Sequence, residues 1–560
     1  MKYSKYNVVV VSAFISFTLL IYSCSKEKFA EYNTNPDAVI AIAPEPLFTK
    51  AVTNWHDDSF EAFYENYRGV SRWTRQMVGL TGNTSTITDG IGNINQRYGR
   101  FYNSSGNLLV DVQKTIEKLA DDQKPRYVQM KTIAEILKVY EAWFVTDGNG
   151  SIPYTEAFQA RYNGTFTPVY DSQQNLYNNF EKTLKDAIAV LKAQPAVPQV
   201  SLGNNDLYYQ GSIPKWIKAA TSLRLLIAMR LSKKDPAKLK TIAADILTNS
   251  AADLMSSPDD DWSLKAGSNF IGAGNWDVSA SGAYGANGTV DFMWRNDDPR
   301  LPLFYQKNSW TQANFDAAKT EGKIPANSVY DSRRYYGQFT SPDANTIPAK
   351  QKFFSPVVIK SGNLDTISAL QYRMFTPALS SGTGSATFLI LTYADICFLR
   401  AELAARNITS ESASEWYYKG IDASIITYDR IAKAAALADY VALDANAATN
   451  YKAKPEIIYN PAKGLEQILI QQYLNFYKNY NECWALLKRT GMPNAQTALV
   501  VEDFTFSGQV QPIPRRFVIN FPLAGDANFA NKQSAIAEMA KESYFGQPTD
   551  VKGRVWWDMP

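Results

Sequence analysis

Four apolar stripes with helical spacing constrain the fold of this chain more than any other feature. Met130, Ile133, Leu137, Tyr140 and Phe144 recur at intervals of three and four residues, as do Trp216, Ala220, Leu223, Ile227 and Leu231. Leu391, Ala394, Phe398, Ala401 and Ala405 form a third stripe, and Leu469, Tyr473, Phe476, Tyr480, Cys483 and Leu487 a fourth. An α-helix turns by about 100° per residue, so this spacing gathers the apolar side chains on one face that must be buried. Punctuation agrees: Asp171-Ser172 opens a run to Lys192 before Pro195, and Lys488 and Arg489 precede Gly491 and Pro493. With helices spaced at roughly 35 to 45 residues and small residues at Ala401, Ala404 and Ala405, the expectation is an all-α fold of stacked, tetratricopeptide-like helix pairs. The repeat consensus itself is absent, so this reading concerns shape.

Between about residues 259 and 377 the texture changes to aromatic clusters separated by Gly, Ser, Asn and Pro. Irregular loops are expected there, and long irregular segments in large ordered proteins tend to carry function. This insertion is where a ligand is expected.

The first residues read as an export signal. Lys2 and Lys5 precede an apolar stretch from Val8 to Ile21, and Ile21-Tyr22-Ser23-Cys24 places a small residue before a cysteine. The stretch is shorter than the ~20 apolar residues a spanning helix needs. The expected organisation is a lipoprotein signal peptide over residues 1–23 and a single domain over 24–560, with Cys24 acylated by diacylglycerol and palmitate-type chains. The mature protein is then anchored to a membrane without crossing it.

Lys and Arg number 57 and Asp and Glu 54, without a basic block, so no nucleic-acid partner is expected. One histidine, His56, serves the whole chain and reads as a helix-surface residue beside Asp57 and Asp58. Nucleophile-elbow, zinc-protease, phosphate-loop and dinucleotide motifs are missing, so neither an enzyme nor a cofactor is expected. Asp147-Gly-Asn149-Gly-Ser151 opens like a calcium loop, but Ile152 stands where glycine is needed and Phe158 where a bidentate glutamate is needed. Asp259-Asp260-Asp261 reads as a solvated turn, and no metal site is expected. Cys397 and Cys483 read as buried small apolar residues.

Several segments, in order along the chain, resemble the SusD/RagB family of outer-membrane nutrient-binding lipoproteins, in its second SusD-like branch. They are Tyr32-Asn-Thr-Asn-Pro-Asp37, Thr146-Asp-Gly-Asn-Gly-Ser-Ile-Pro-Tyr-Thr-Glu-Ala157, Tyr170-Asp-Ser-Gln-Gln174 and Trp216 to Arg230. Asp298-Pro-Arg-Leu301, Leu391-Thr-Tyr-Ala-Asp-Ile396 and Arg554-Val-Trp-Trp-Asp558 follow. Thr221 departs from the asparagine usual in that family, and the Ser-Lys-Glu-Lys after Cys24 is less acidic than its typical surface-export tag. The resemblance implies a helical protein that binds a nutrient without catalysis and serves as the lid of a SusC-like TonB-dependent outer-membrane barrel. Its implied location is the cell outer membrane, lipid-anchored and surface-exposed. Its implied cargo is an oligosaccharide, with a peptide as the alternative and a purely protein-binding scaffold as the rival reading.

Ligand contact is expected from aromatic residues on irregular segments: Trp276, Tyr284 and Trp294 in the insertion, and Trp73 and Asn83 around the Gly79-to-Asn95 loop. The rings offer flat faces, Asn83 offers a donor and an acceptor, and Gly272, Gly274, Gly282, Gly285 and Gly288 leave backbone room for cargo.

Overall fold

Helices dominate, and their ends are set by local chemistry. The computed structural model describes residues 42–83, 92–267, 276–376 and 383–560. The signal segment and Cys24 lie outside the described residues. Pro44–Pro560 form one compact unit. Its principal helices are α1 (Pro44–His56), α2 (Gly106–Lys118), α3 (Val128–Asn149), α4 (Gln173–Lys192), α5 (Ile213–Met229), α6 (Pro236–Asn249), α7 (Asn287–Arg295), α8 (Tyr393–Ala405), α9 (Ala413–Ala434), α10 (Gly464–Asn475) and α11 (Tyr480–Thr490). Ser172 caps α4 by accepting from the Asn175 amide, and Gly491 ends α11 in the left-handed conformation, φ 70°.

Successive helices pack on one another, α1 through α6 in chain order and then α8 against α9 and α10. This is the expected helix-pair stacking. The first two stripes are buried as read, apart from half-buried Phe144. The third is not wholly helical. Leu391 ends a strand, and Thr392 caps α8 in a reciprocal box with Asp395. The fourth stripe spans two helices, because a 3-10 turn over Phe476–Lys478 ends α10 and the Asn479 side chain caps α11 from the Glu482 amide. All six of its residues remain buried, so the periodicity survived the break.

Strands are short. β1 (Met77–Gly79) pairs with β3 (Ala283–Gly285), β2 (Trp262–Gly267) with β6 (Ser385–Leu391), and β4 (Val357–Ile359) with β5 (Gly362–Leu364), all antiparallel. The β2–β6 pair joins the insertion to the start of α8. The insertion is also less irregular than expected, since α7 and a helix over Gln312–Thr320 lie within it.

Two large apolar clusters fill the unit, one centred on α1 to α6 and one on α8 to α11. Cys397 and Cys483 are buried free thiols. His56 departs from expectation: it is buried, with Nε2 2.8 Å from the Tyr208 hydroxyl. It is the last residue of α1, so the helix turns it inward while Asp57 and Asp58 follow outside. Burial pulls its pKa down to about 3, with Arg100 adding to the effect, and keeps the ring neutral.

The motifs that carried the resemblance are joints of this scaffold. Asp147 pairs with buried Arg230 at 2.9 Å, and Arg300 with Asp298 at 2.7 Å. Asp558 accepts from Arg515 and Arg554. The three aspartates 259 to 261 serve separate partners: Asp259 binds Arg430, Asp260 binds Lys218 and the Ser256 amide, and Asp261 accepts from the Tyr393 amide and the Thr427 hydroxyl. Among the described residues no group of three potential metal ligands converges.

Candidate functional site

An aromatic groove of about 220 Å³ opens within the insertion, lined by Trp310, Phe315, Tyr330, Asp331, Arg333 and Tyr336 among others. Its walls come from the Gln312–Thr320 helix, the β4–β5 hairpin and the extended chain from 324 to 336. Trp310 packs edge-on against Phe315 at 6.4 Å, and Phe315 against Tyr330 at 5.5 Å. The Trp310 indole N–H is buried and has no protein acceptor.

Beside the groove stands a stacked column. The Arg333 guanidinium sits 4.1 Å from the Trp294 ring centre and 4.3 Å from that of Tyr336, between the two. Arg333 is held there by Asp291 at 3.0 Å and by its own bond to the Tyr335 carbonyl at 2.7 Å. Asp331 accepts from the Tyr336 hydroxyl, and burial followed by that bond pushes the phenol up to about 12. Trp294 is 41% exposed, which leaves part of its ring open to solvent.

The five side chains expected at a ligand do not converge. Trp294 lies on α7 and stands at the column. Tyr284 is half-buried on β3 and packs, as Tyr336 does, on a small cluster that includes Phe339, Phe353 and Ile367. Tyr336 thus touches both neighbourhoods, Arg333 of the column and the cluster on which Tyr284 packs. Trp276 is buried elsewhere, lining a second, partly open cavity and packing edge-on against Phe388 at 6.1 Å.

Trp73 and Asn83 belong to the scaffold. Trp73 is 2% exposed and packs against Trp484 at 5.3 Å and Phe517 at 6.0 Å. Asn83 is fully buried, its amide oxygen accepting from the Gly79 amide and its nitrogen donating to the Arg72 and Met77 carbonyls. Its hydrogen-bonding capacity is spent closing the turn after β1. The glycines also serve the fold: a side chain at Gly288 would meet the Val500 carbonyl at 1.7 Å, one at Gly285 the Tyr305 ring at 2.5 Å, and Gly282 takes a left-handed turn. Gly272 and Gly274 lie outside the described residues.

Sequence reasoning missed Trp310, Tyr330, Arg333 and Tyr336. The signal was present in Tyr330-Asp-Ser-Arg-Arg-Tyr-Tyr336, where arginines and tyrosines alternate outside any helical pattern.

Comparison with known proteins assigns the scaffold. The family model SusD-like_2, described as starch-binding associating with outer membrane, matches residues 36–519. A solved chitin-binding protein superposes with a TM-score of 0.68 at 22% identity, covering 92% of this chain and 100% of its own. A SusD homologue from Bacteroides fragilis gives 0.62 at 24% identity, covering 92% and 99%. A chitin-binding SusD homologue from Flavobacterium johnsoniae gives 0.55 at 21% identity, covering 92% and 97%. No curated protein sequence matches. At these identities the structural likeness speaks for fold alone, and with the family match over most of the chain it places this protein in the SusD-like family.

Proposed function

We propose that this protein captures an oligosaccharide in the groove beside Trp294 and passes it to a TonB-dependent outer-membrane barrel, for which it acts as the lid. The observation that carries this reading is the column of Trp294, Arg333 and Tyr336, its Trp294 ring 41% exposed, beside an aromatic groove. A sugar ring that covers roughly 50 to 80 Å² of an exposed aromatic face gains about 1 to 2 kcal/mol. A few such contacts minus association costs give affinities of about micromolar to millimolar. Weak capture suits a protein that must release its cargo. Two relatives named as chitin-binding support a glycan, and the family description supports an outer-membrane setting.

Anchorage through acylated Cys24 after removal of residues 1–23, and exposure at the cell surface, complete the reading. Binding without bond cleavage fits the groove, where Asp331 is engaged by Tyr336. The test is titration of chito-oligosaccharides, malto-oligosaccharides and peptides against the mature protein and its Trp294→Ala and Tyr336→Ala variants. Glycan affinity should fall several-fold in both, at unchanged melting temperature for Trp294→Ala. Equal affinity in all three proteins removes the groove, and binding of peptides alone removes the glycan.

A further inference from the structure

A second cavity, sharing no lining residue with the groove and partly open to solvent, lies in the helical body. It encloses about 120 Å³ between the end of α1, the following π-helical segment Glu61–Val70, strand β6 and the turn into α11. A cavity of about 150 Å³ accepts a benzene-sized molecule, so this one has room for about five heavy atoms.

Its charged lining is two cations, Arg100 and Lys478, and two carboxylates, Asp58 and Glu61, but only one of the cations is paired. Lys478, half-buried at the wall, donates to the Met374 carbonyl at 2.7 Å and sits 3.9 Å from the Phe375 ring centre. It makes no ion pair among the described residues, whereas Arg100 on the same wall is paired with Glu61. Trp276 and Phe388 supply the apolar side. Charges in protein interiors are ordinarily paired, and an ammonium held by one carbonyl and a ring face keeps donor capacity to spare.

We infer that this cavity binds a small carboxylate, with Lys478 as its counter-charge and Trp276 and Phe388 against its apolar end. The carboxylate is either a free short-chain acid or the acidic group of a uronic sugar. The inference is independent of the groove and of the glycan reading.

The groups facing Lys478 give the pH dependence a definite sign. Burial draws Lys478 down to about 7, while burial raises Glu61 to about 7 against the pull of Arg100. His56 is neutral, and Asp58, Tyr67, Tyr140 and Tyr480 complete the titratable lining. Raising the pH removes the ammonium and adds a carboxylate, and both changes disfavour an anion.

The experiment is a titration of carboxyl-labelled propionate into the mature protein, followed by NMR line broadening at about pH 6 and about pH 8.5. Propionamide is the neutral control, and glucuronate beside glucose is the second arm. Propionate should saturate at about pH 6 and bind at least about tenfold more weakly at about pH 8.5. Tighter binding of glucuronate than of propionate identifies a uronic end, and binding of propionate alone identifies a free acid. Lys478→Met should abolish binding while thermal unfolding remains cooperative. Lys478→Arg should retain binding and lose the share of its pH dependence that Lys478 supplies, which decides the matter if the methionine variant does not fold. Equal affinity for propionamide, absence of saturation by either acid, or pH-independent binding by the wild type overturns the inference.

Discussion

Arg230 Nη2 lies 2.6 Å from Glu482 Oε1 and 2.9 Å from Asp147 Oδ2, so one guanidinium ties the end of α5 to the end of α3 and the start of α11. All three side chains are buried, and the Trp143 and Trp557 rings lie 4.8 and 5.5 Å from the guanidinium carbon. The two halves of the helical body meet at this joint. Replacing Arg230 by Met leaves two facing carboxylates without a cation and should cost about 3 to 5 kcal/mol. Denaturant unfolding measures this directly; a loss below about 1 kcal/mol would mean that the neighbouring cations take over.

Trp73 and Trp294 should behave oppositely. Trp73→Ala empties a site packed by Trp484 and Phe517 and should lower stability by about 3 to 5 kcal/mol, with groove affinity unchanged in the folded fraction. Trp294→Ala should change stability by less than about 1 kcal/mol and weaken glycan binding by about 1 to 2 kcal/mol. Melting curves and titrations on the same preparations separate the two roles. The reverse pattern would move the ligand from the insertion to the Gly79 loop.

The helical body was legible because burial of a helix face imposes a period that residues such as Met130, Ile133 and Leu137 record directly. The break between α10 and α11 was not, because Phe476 and Tyr480 keep the stripe while one asparagine, Asn479, restarts the helix. The family motifs were legible for a related reason: Asp147, Arg230, Asp298 and Arg300 hold joints that the fold cannot dispense with. They say nothing of cargo. The groove was half legible, since Trp294 was named while Arg333 and Tyr336 were not. A tryptophan on a surface and one in a core have the same local sequence, and only the third dimension separates Trp294 from Trp73.

Gly288→Ala tests whether glycines in the insertion serve cargo or scaffold. The added methyl would stand 1.7 Å from the Val500 carbonyl oxygen, a backbone atom that cannot swing aside. The variant should lose stability, by about 1 to 3 kcal/mol if the chain shifts to relieve the overlap. Thermal unfolding reads the outcome. Unchanged melting with weakened glycan binding would instead assign the space at Gly288 to a ligand.

Glu402 gives the acid side of the stability profile. It is fully buried on α8, and its oxygens accept from Arg489 Nη2 at 2.7 Å, Arg406 Nε at 2.8 Å and Gln472 Nε2 at 2.9 Å. Burial alone would raise its pKa, but the charge and hydrogen bond of Arg489, with Arg406 and Gln472 assisting, outweigh it and bring the carboxyl to about 2. An unfolded glutamate titrates at about 4.3, so the folded state binds fewer protons in between. The contribution is therefore complete above the unfolded value and is lost as the pH falls toward about 2, amounting to about 3 kcal/mol in order of magnitude. Glu402→Gln should be less stable than the wild type at neutral pH, and the gap should narrow steadily below about pH 4.3. Taking the difference between the two proteins cancels other acidic groups, such as Asp245, that also titrate near 2. Denaturant midpoints at a series of pH values supply the measurement, and a gap that stays constant down to about pH 2.5 would show that the Arg489 pair does not hold Glu402 ionised.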